Sequence, residues 1–333
     1  MVLAEFLKAW HDDSATMLVH TSGSTGKPKP LWVEKRRMEA SARITCRFLG
    51  LEPGNTALLC MPLDFIAGRM MVVRSIVAGL QLISVEPDGH PMRAVDKSPD
   101  FAAMVPLQVY NSLLDDEERA KLQGIRHLII GGGAIDDKLE QQLKSFPNNV
   151  WSTYGMTETL SHIALRRLNG TAADDYYTPF DSVNVSLNEE GCLIIDAPEV
   201  CAGRLITNDM AEIAADGRRF RITGRKDNVI CSGGIKIQIE EVERMLKPHL
   251  SFPFLITKVK DDKFGEAVVL LLASGSKEEA ADVCSRVLPP YSRPRHYLPV
   301  TSIPETPTGK PARHEAERMA AMLCEEQMKS IAK

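Results

Sequence analysis

The sequence is poor in the features that staple, anchor or extend a chain. Its seven cysteines, Cys46, Cys60, Cys192, Cys201, Cys231, Cys284 and Cys324, are never three apart. No CxxC pair therefore exists for zinc binding or thiol exchange. The odd count and wide spacing fit reduced thiols in a cytoplasmic protein. No apolar run approaches the ~18–20 residues that span a bilayer, and Arg74 and Ser75 split the apolar segments Met70–Val73 and Ile76–Leu80. The opening segment Met1–Lys8 carries charges within its short apolar stretch and does not read as a secretory signal. Excess positive charge is missing as well: 40 Lys and Arg stand against 44 Asp and Glu, a net charge of -4. That excludes a general nucleic-acid surface but not a nucleotide, which a few local groups can hold. There is no internal repeat and no low-complexity tract.

What is present is ordinary globular material, 333 residues with 44% hydrophobic and 25% charged. This length suits about two domains and buries enough surface to need no disulfide or metal. Short apolar runs alternate with helix-like segments through the first part. Ala15–His20, Ala57–Met61, Gln81–Val85, Phe101–Val105, His127–Ile130 and Val150–Thr153 read as strands. Val33–Leu49, Gly68–Leu80, Gln108–Leu114 and Ile135–Phe146 read as helices. This rhythm predicts an α/β fold with a mostly parallel, helix-covered sheet. Residues 163–223 carry Asn-Gly, Glu-Gly and Asp-Gly turns and predict a small antiparallel part. From Gly224 a short helix, two strands, a helix and a polar C-terminal helix predict a small α+β domain. The expected division is 1–224 and 225–333.

Four segments carry candidate chemistry. Thr21-Ser22-Gly23-Ser24-Thr25-Gly26-Lys27-Pro28-Lys29 lies between an expected strand and an expected helix. Its glycines allow close approach to an anion, its hydroxyls donate, and Lys27 and Lys29 add charge. Its spacing is not that of a Walker A loop, and a polar turn is the bland alternative. Ser152–Thr159 places Tyr154 to stack on a planar base, Thr157 to reach a phosphate and Glu158 to bind Mg²⁺; a turn and helix cap would read the same. Upstream, Gly131, Gly132 and Gly133 end a strand, as a ligand edge or a tight turn. Thr223–Gly234 suits an inter-domain hinge or an ordinary hairpin. Pro304–Arg313 holds Lys310 on a Pro/Gly loop, as a delivered charge or as surface charge.

Taken together and in order, these segments resemble the adenylate-forming superfamily of acyl- and aryl-CoA synthetases, adenylation domains and luciferases. The phosphate loop resembles its Thr-Ser-Gly-Ser-Thr-Gly-x-Pro-Lys motif, and Tyr154–Glu158 its Tyr-Gly-x-Thr-Glu. Gly224–Glu243 and Gly309–Arg313 resemble two further motifs. Weaker matches are Met61–Gly68, Val105-Pro106-Leu107 and Thr207-Asn208-Asp209. Departures are Pro30, Phe65, Asn208, Asn228 and Ile239. The phosphate loop begins at Thr21, where familiar members have a much longer stretch before it. Such front-shortened versions look most like the o-succinylbenzoate–CoA ligases of menaquinone-making bacteria.

The resemblance implies an ATP-dependent, Mg²⁺-assisted, AMP-forming acid–CoA ligase. A carboxylate attacks the α-phosphate of ATP, giving an acyl-adenylate and pyrophosphate; the thiol of coenzyme A then displaces AMP. By the same resemblance, Thr21–Lys27 and Lys29 grip the outer phosphates, and Gly132, Gly133, Tyr154 and Gly155 line the adenine. Thr157 contacts the α-phosphate and Glu158 holds Mg²⁺. Asp209 binds the ribose beside Arg225, and Lys310 bridges carboxylate and α-phosphate. Asp227 is the hinge, and Ser232, Gly233 and Gly234 form the CoA tunnel after the small domain swings. Expected partners are a small carboxylic acid, ATP and CoA, with no nucleic acid and no membrane insertion. For 2-succinylbenzoate a second carboxylate needs a cation. Arg69, Arg74 and His162 are candidates, against solvated helix charge for the arginines and packing for the histidine. Alternatives are another aryl-CoA ligase, a carrier-loading enzyme with Asp64 as an ammonium anchor, or a nucleotide-binding pseudoenzyme.

Overall fold

The structure, a computed structural model, describes residues 1–20, 30–306 and 311–331. The amphipathic helix Leu3–Trp10 (α1) buries Phe6 and Trp10, whose rings stack one turn apart. Strand Thr16–His20 (β1) turns Met17 and Val19 inward. It pairs antiparallel with Pro30–Glu34 (β2), from Thr16↔Glu34 to His20↔Pro30. Helix Lys35–Leu49 (α2) follows, with Met38, Ala42, Thr45, Cys46 and Leu49 on its buried face. This corrects one expectation: the segment after Lys29 enters a strand before it enters a helix.

The main sheet uses Thr56–Leu59 (β3), Gln81–Ser84 (β4), Phe101–Met104 (β5), His127–Ile130 (β6), Asn149–Gly155 (β7), His162–Arg167 (β8) and Thr178–Pro179 (β9). Its order is β4-β3-β5-β6-β7-β8-β9. The pairs from β4 through β7 are parallel, and β8 and β9 add antiparallel pairs. The central strands are apolar because both faces are covered: all of β5 is buried, and only His127 in β6 is not. Between them run Ile66–Ala78 (α3), Pro106–Leu113 (α4), Asp116–Gln123 (α5) and Asp137–Leu143 (α6). Asp115 caps α5 by accepting from the Glu117 and Glu118 amides, and Asp136 caps α6 through Leu139 N.

Helix α3 has no polar face. Residues Gly68 through Ser75 are buried without a break, as a helix between α2 on one side and β3 and β4 on the other requires. Two arginines lie within that run.

Strands Asn184–Leu187 (β10), Cys192–Asp196 (β11), Arg204–Ile213 (β12) and Phe220–Arg225 (β13) form a four-stranded sheet in chain order. The chain divides into two compact units. One comprises Met1–Ser186, Ile194–Ile206 and Ile213–Arg221; the other comprises Leu187–Leu193, Thr207–Glu212 and Ile222–Lys333.

The second unit is built on Val229–Ser232 (β14), Ile235–Gln238 (β15), Phe254–Asp261 (β16), Gly265–Leu272 (β17) and His296–Pro299 (β18). The order is β15-β14-β17-β16, with β18 parallel to β17. Its helices are Ile239–Leu246 (α7), Lys277–Val287 (α8) and Arg313–Ile331 (α9). Alternation along β17 separates two cores. Val268, Leu270 and Leu272 join Val242 and Leu246 of α7 and Ala280, Val283 and Cys284 of α8. Ala267, Val269 and Leu271 join Ala316, Ala320 and Cys324 of α9. Helices on both faces explain why β17 reads as an unbroken apolar run.

Candidate active site

The sequence-derived residues Thr21, Ser22, Gly23, Ser24, Thr25, Gly26, Lys27, Lys29 and Lys310 lie outside the described residues. The described flank does bear on the loop's chemistry. Because β2 intervenes, α2 begins only at Lys35, so no helix N-terminus directly follows Lys29 to supply its dipole to an anion.

At the ends of the parallel strands, Gly132 and Gly133 follow β6, while Tyr154 and Gly155 end β7. A Cβ at Gly133 would meet nothing nearer than Pro106 at 3.7 Å. Packing therefore does not demand glycine there, and the bare backbone leaves room beside the strand end. Gly155 is different: a Cβ would lie 2.3 Å from Ser161 O and 2.4 Å from His162 Cα. Only glycine lets β7 and β8 approach at the irregularity where their register shifts.

Tyr154 is the residue expected to stack on a planar base. Its ring belongs to an aromatic group with Tyr177 (5.8 Å between centroids) and Phe220 (5.1 Å, edge-on). Tyr177 OH lies 2.8 Å from Ser152 Oγ, and Arg166 sits over its ring. Sequence reading missed Tyr177, Phe220 and Arg166. The Tyr176-Tyr177 pair lay in the turn-rich stretch, and nothing local tied it to β7.

Thr157–Thr159 form one turn of 3₁₀-helix, with Thr157 buried and Glu158 exposed. Met156 N donates to Thr159 Oγ1 at 3.1 Å and holds the turn. Among the described residues no ion pair engages Glu158, and no cluster of three metal-ligating side chains exists. A single open carboxylate suits Mg²⁺ that takes its other oxygens from phosphates and water. Leu160 then has φ 66°, the one non-glycine residue with positive φ among those described. That turn brings the chain from Glu158 straight to Ser161 and His162.

The candidate cations separate clearly. Both arginines of α3 are buried, Arg69 at 4% and Arg74 at 2% exposure, which corrects their reading as solvated helix charge. Arg69 is engaged by backbone at two of its nitrogens: Nε donates to Leu63 O at 2.7 Å, and Nη1 donates to Leu18 O. Arg74 makes no such set. Nη2 donates to Ser161 Oγ at 2.5 Å, Nη1 reaches only Met71 Sδ at 3.7 Å, and Nε has no partner. Among the described residues no carboxylate pairs with it. Burial pushes the Arg74 guanidinium down to about 10, still charged at neutral pH. His162 is buried and held by Thr45 Oγ1 at 3.1 Å and Ser161 Oγ at 3.2 Å. Burial first, and then Arg74, keep its imidazole well below its ordinary pKa. Asp64, weighed as an ammonium anchor, has a side chain 67% exposed.

In the second unit, Asp209 is nearly buried and accepts from Arg225 Nη1 at 2.7 Å. Arg225 Nη2 donates to Asp227 at 3.2 Å, and Asn208 Nδ2 donates to the same carboxylate at 3.1 Å. Asn208 and Asn228, two departures from the expected motifs, thus bond to acids; Asn228 Nδ2 donates to Glu240. Ser232, Gly233 and Gly234 form the β14–β15 turn, Ser232 pairing with Ile235. Gly233 (φ 59°) and Gly234 (φ 83°) supply the left-handed conformations of a type I′ hairpin. Arg313, the last motif residue, forms a bidentate pair with Glu243 at 2.6 and 2.7 Å.

Comparison with known proteins agrees with this architecture. A 2-succinylbenzoate–CoA ligase of Salmonella typhimurium is 28% identical over 293 residues, 84% of this chain and 62% of that protein. An acyl-CoA synthetase (AMP-forming)/AMP-acid ligase II-like protein of Dyadobacter fermentans superposes with TM-score 0.64 at 31% identity, covering 94% of this chain and 92% of that one. An o-succinylbenzoate coenzyme A synthetase of Bacillus subtilis, in complex with ATP and magnesium ion, shares the fold with TM-score 0.73 at 22% identity, over 90% of this chain and 69% of that one. The chain thus spans 62% of the length of its Salmonella relative. A family model for AMP-binding enzymes matches residues 5–202, and the chain belongs to the AMP-binding enzyme family.

Proposed function

We propose that this protein is an AMP-forming acid–CoA ligase whose acid carries a second carboxylate, with 2-succinylbenzoate as substrate. The observation that carries the choice of acid is Arg74, a buried guanidinium with an unpartnered Nε and no carboxylate among the described residues. A buried cation is costly unless paired, and an anionic group of a substrate completes the pairing. The names of the Salmonella and Bacillus relatives support the same acid.

In this reading the chain's groups position and stabilise rather than attack. Thr157 donates to the α-phosphate, where charge builds as the acid carboxylate attacks. Gly132, Gly133, Tyr154 and Gly155 hold the adenine edge and face. Asp209, oriented by Arg225, accepts from the ribose hydroxyls. The Thr21–Lys29 loop holds the departing pyrophosphate, and Lys310 bridges the carboxylate and the α-phosphate. Glu158 is the ligand for Mg²⁺, which neutralises phosphate charge when bound. Movement about Asp227 and the Ser232–Gly234 turn serve the second step, in which the CoA sulfur bonds to the acyl carbon and AMP leaves.

Pyrophosphate release with a panel of acids tests the reading. Release is expected with ATP and 2-succinylbenzoate, followed by thioester formation on adding CoA. Arg74→Ala is expected to raise the diacid KM by ~10–100-fold, the loss of a charge-assisted hydrogen bond. Release with no acid at all, or equal kcat/KM for benzoate and the diacid, would overturn it. Lys310→Ala is expected to abolish ATP–pyrophosphate exchange while sparing thioester formation from supplied acyl-adenylate; equal loss of both would remove Lys310 from the first step.

A further inference from the structure

Four buried or half-buried polar groups join α2, α3 and β8. Thr45 Oγ1 lies 3.1 Å from Ser41 O, and His162 Nε2 lies 3.1 Å from Thr45 Oγ1. Ser161 Oγ lies 3.2 Å from His162 Nδ1, and Arg74 Nη2 lies 2.5 Å from Ser161 Oγ. Both ends of this chain have fixed polarity, because a guanidinium only donates and a carbonyl only accepts. Thr45 therefore gives its hydrogen to Ser41 O and accepts from His162 Nε2. The imidazole proton is then on Nε2, and Nδ1 accepts from Ser161. The Ser161 oxygen in turn accepts from Arg74. Every hydrogen points the same way, and the reverse order fails at both ends.

We propose that His162 is a positioning residue for the acid site: through Ser161 it fixes the Arg74 guanidinium against the backbone of α2. The inference rests on the reading of Arg74 as the cation that receives a substrate carboxylate. Thr45 is 0% and His162 7% exposed, so water does not compete for the bond between them. Phe180 packs against the imidazole, with centroids 5.6 Å apart, and limits its rotation. A ring kept neutral by burial and by Arg74 retains the bare Nδ1 that the chain needs. Packing alone would be met by leucine; the chain needs a donor and an acceptor held at opposite ends of one rigid ring.

The test compares His162→Leu, His162→Gln, Arg74→Ala and the double variant Arg74→Ala/His162→Leu in steady-state kinetics with ATP and 2-succinylbenzoate. Glutamine offers an oxygen and an NH₂ in place of Nδ1 and Nε2. His162→Leu is expected to raise the diacid KM by about tenfold, with KM for ATP and kcat within about twofold. His162→Gln restores most of the loss, and His162→Leu adds nothing in the Arg74→Ala background. An unchanged diacid KM in His162→Leu, a parallel rise for ATP, or full additivity with Arg74→Ala would overturn the proposal. Long-range ¹H–¹⁵N NMR of the wild-type protein, which needs no variant to fold, is expected to show Nε2 protonated and Nδ1 bare from pH 6 to 8. The opposite tautomer or a charged ring would overturn the hydrogen-bond chain itself. With that tautomer observed, a flat response in Arg74→Ala defeats the Arg74 reading and this inference with it. A raised KM in Arg74→Ala beside a flat His162→Leu defeats this inference alone.

Discussion

Leu160 sits between Glu158 and Ser161 with φ 66°, and the residue is 2% exposed. A branched residue pays for that conformation with about 1 kcal/mol or more, and burial of the side chain offsets it. Leu160→Ala is therefore expected to destabilise the protein by ~2–3 kcal/mol through lost packing. Leu160→Gly is expected to be no worse, since glycine regains about 1 kcal/mol at positive φ. Urea unfolding of both variants checks this; a glycine variant clearly less stable than the alanine one would show that no strain resides there. The two arginines of α3 give a second lesson at this scale. Five positions apart on one helix, they differ in what they meet: Arg69 donates to carbonyls of residues 18 and 63, while the buried Nε of Arg74 has no partner. Their local sequences do not distinguish them. The donors and acceptors that do so come from elsewhere in the chain.

Elements were legible where one short-range signal dominated. β17 and α8 follow from an apolar run and from a Ser276 cap that accepts from Glu279 N. β2 was absorbed into the following helix because Val33 continues the helical period of α2. What makes 30–34 a strand is its pairing with β1, a contact that no local window contains. The Glu243–Arg313 pair shows the same limit. Both residues stood in motifs read as functional, yet their bidentate pair ties α7 to the start of α9. Arg313 Nη1 also donates to Ile256 O at 3.0 Å, and Glu243 accepts from Ile256 N at 2.9 Å. With side chains 24% and 20% exposed, the pair is expected to couple by about 1–3 kcal/mol. A double-mutant cycle with Arg313→Ala and Glu243→Gln, read by chemical denaturation, checks this; additive effects would mean the pair contributes nothing beyond its separate contacts.

At the scale of the whole molecule, the half-buried His127 and the buried His162 link stability to pH. Burial, then Arg126 and Arg167, lower His127 from 6.5 to about 4, and burial with Arg74 holds His162 well below 6.5. Above 6.5 neither the folded nor the unfolded chain protonates them appreciably. Below that value the unfolded chain binds protons that the folded chain refuses, so stability falls as pH falls from 6.5 towards 4. The urea midpoint is expected to drop between pH 7 and pH 5, and His127→Gln to flatten part of that slope. A pH-independent midpoint, or a variant with the wild-type slope, would mean that His127 titrates normally in the folded state.

The order of turn-forming and charged motifs, and the alternation of apolar runs, belong to the sequence alone, because backbone propensity and hydrophobic period act over a few residues. These sufficed for the α/β class, the mostly parallel sheet and the family. Only the tertiary structure decided that strand β2 separates Lys29 from α2, that Tyr154 shares its surroundings with Tyr177 and Phe220, and that Arg74 has a buried Nε without a partner. Each of these depends on burial and on which polar atoms meet across long separations in the chain. Satisfying a buried donor is a matter of three-dimensional neighbours, not of spacing along the chain.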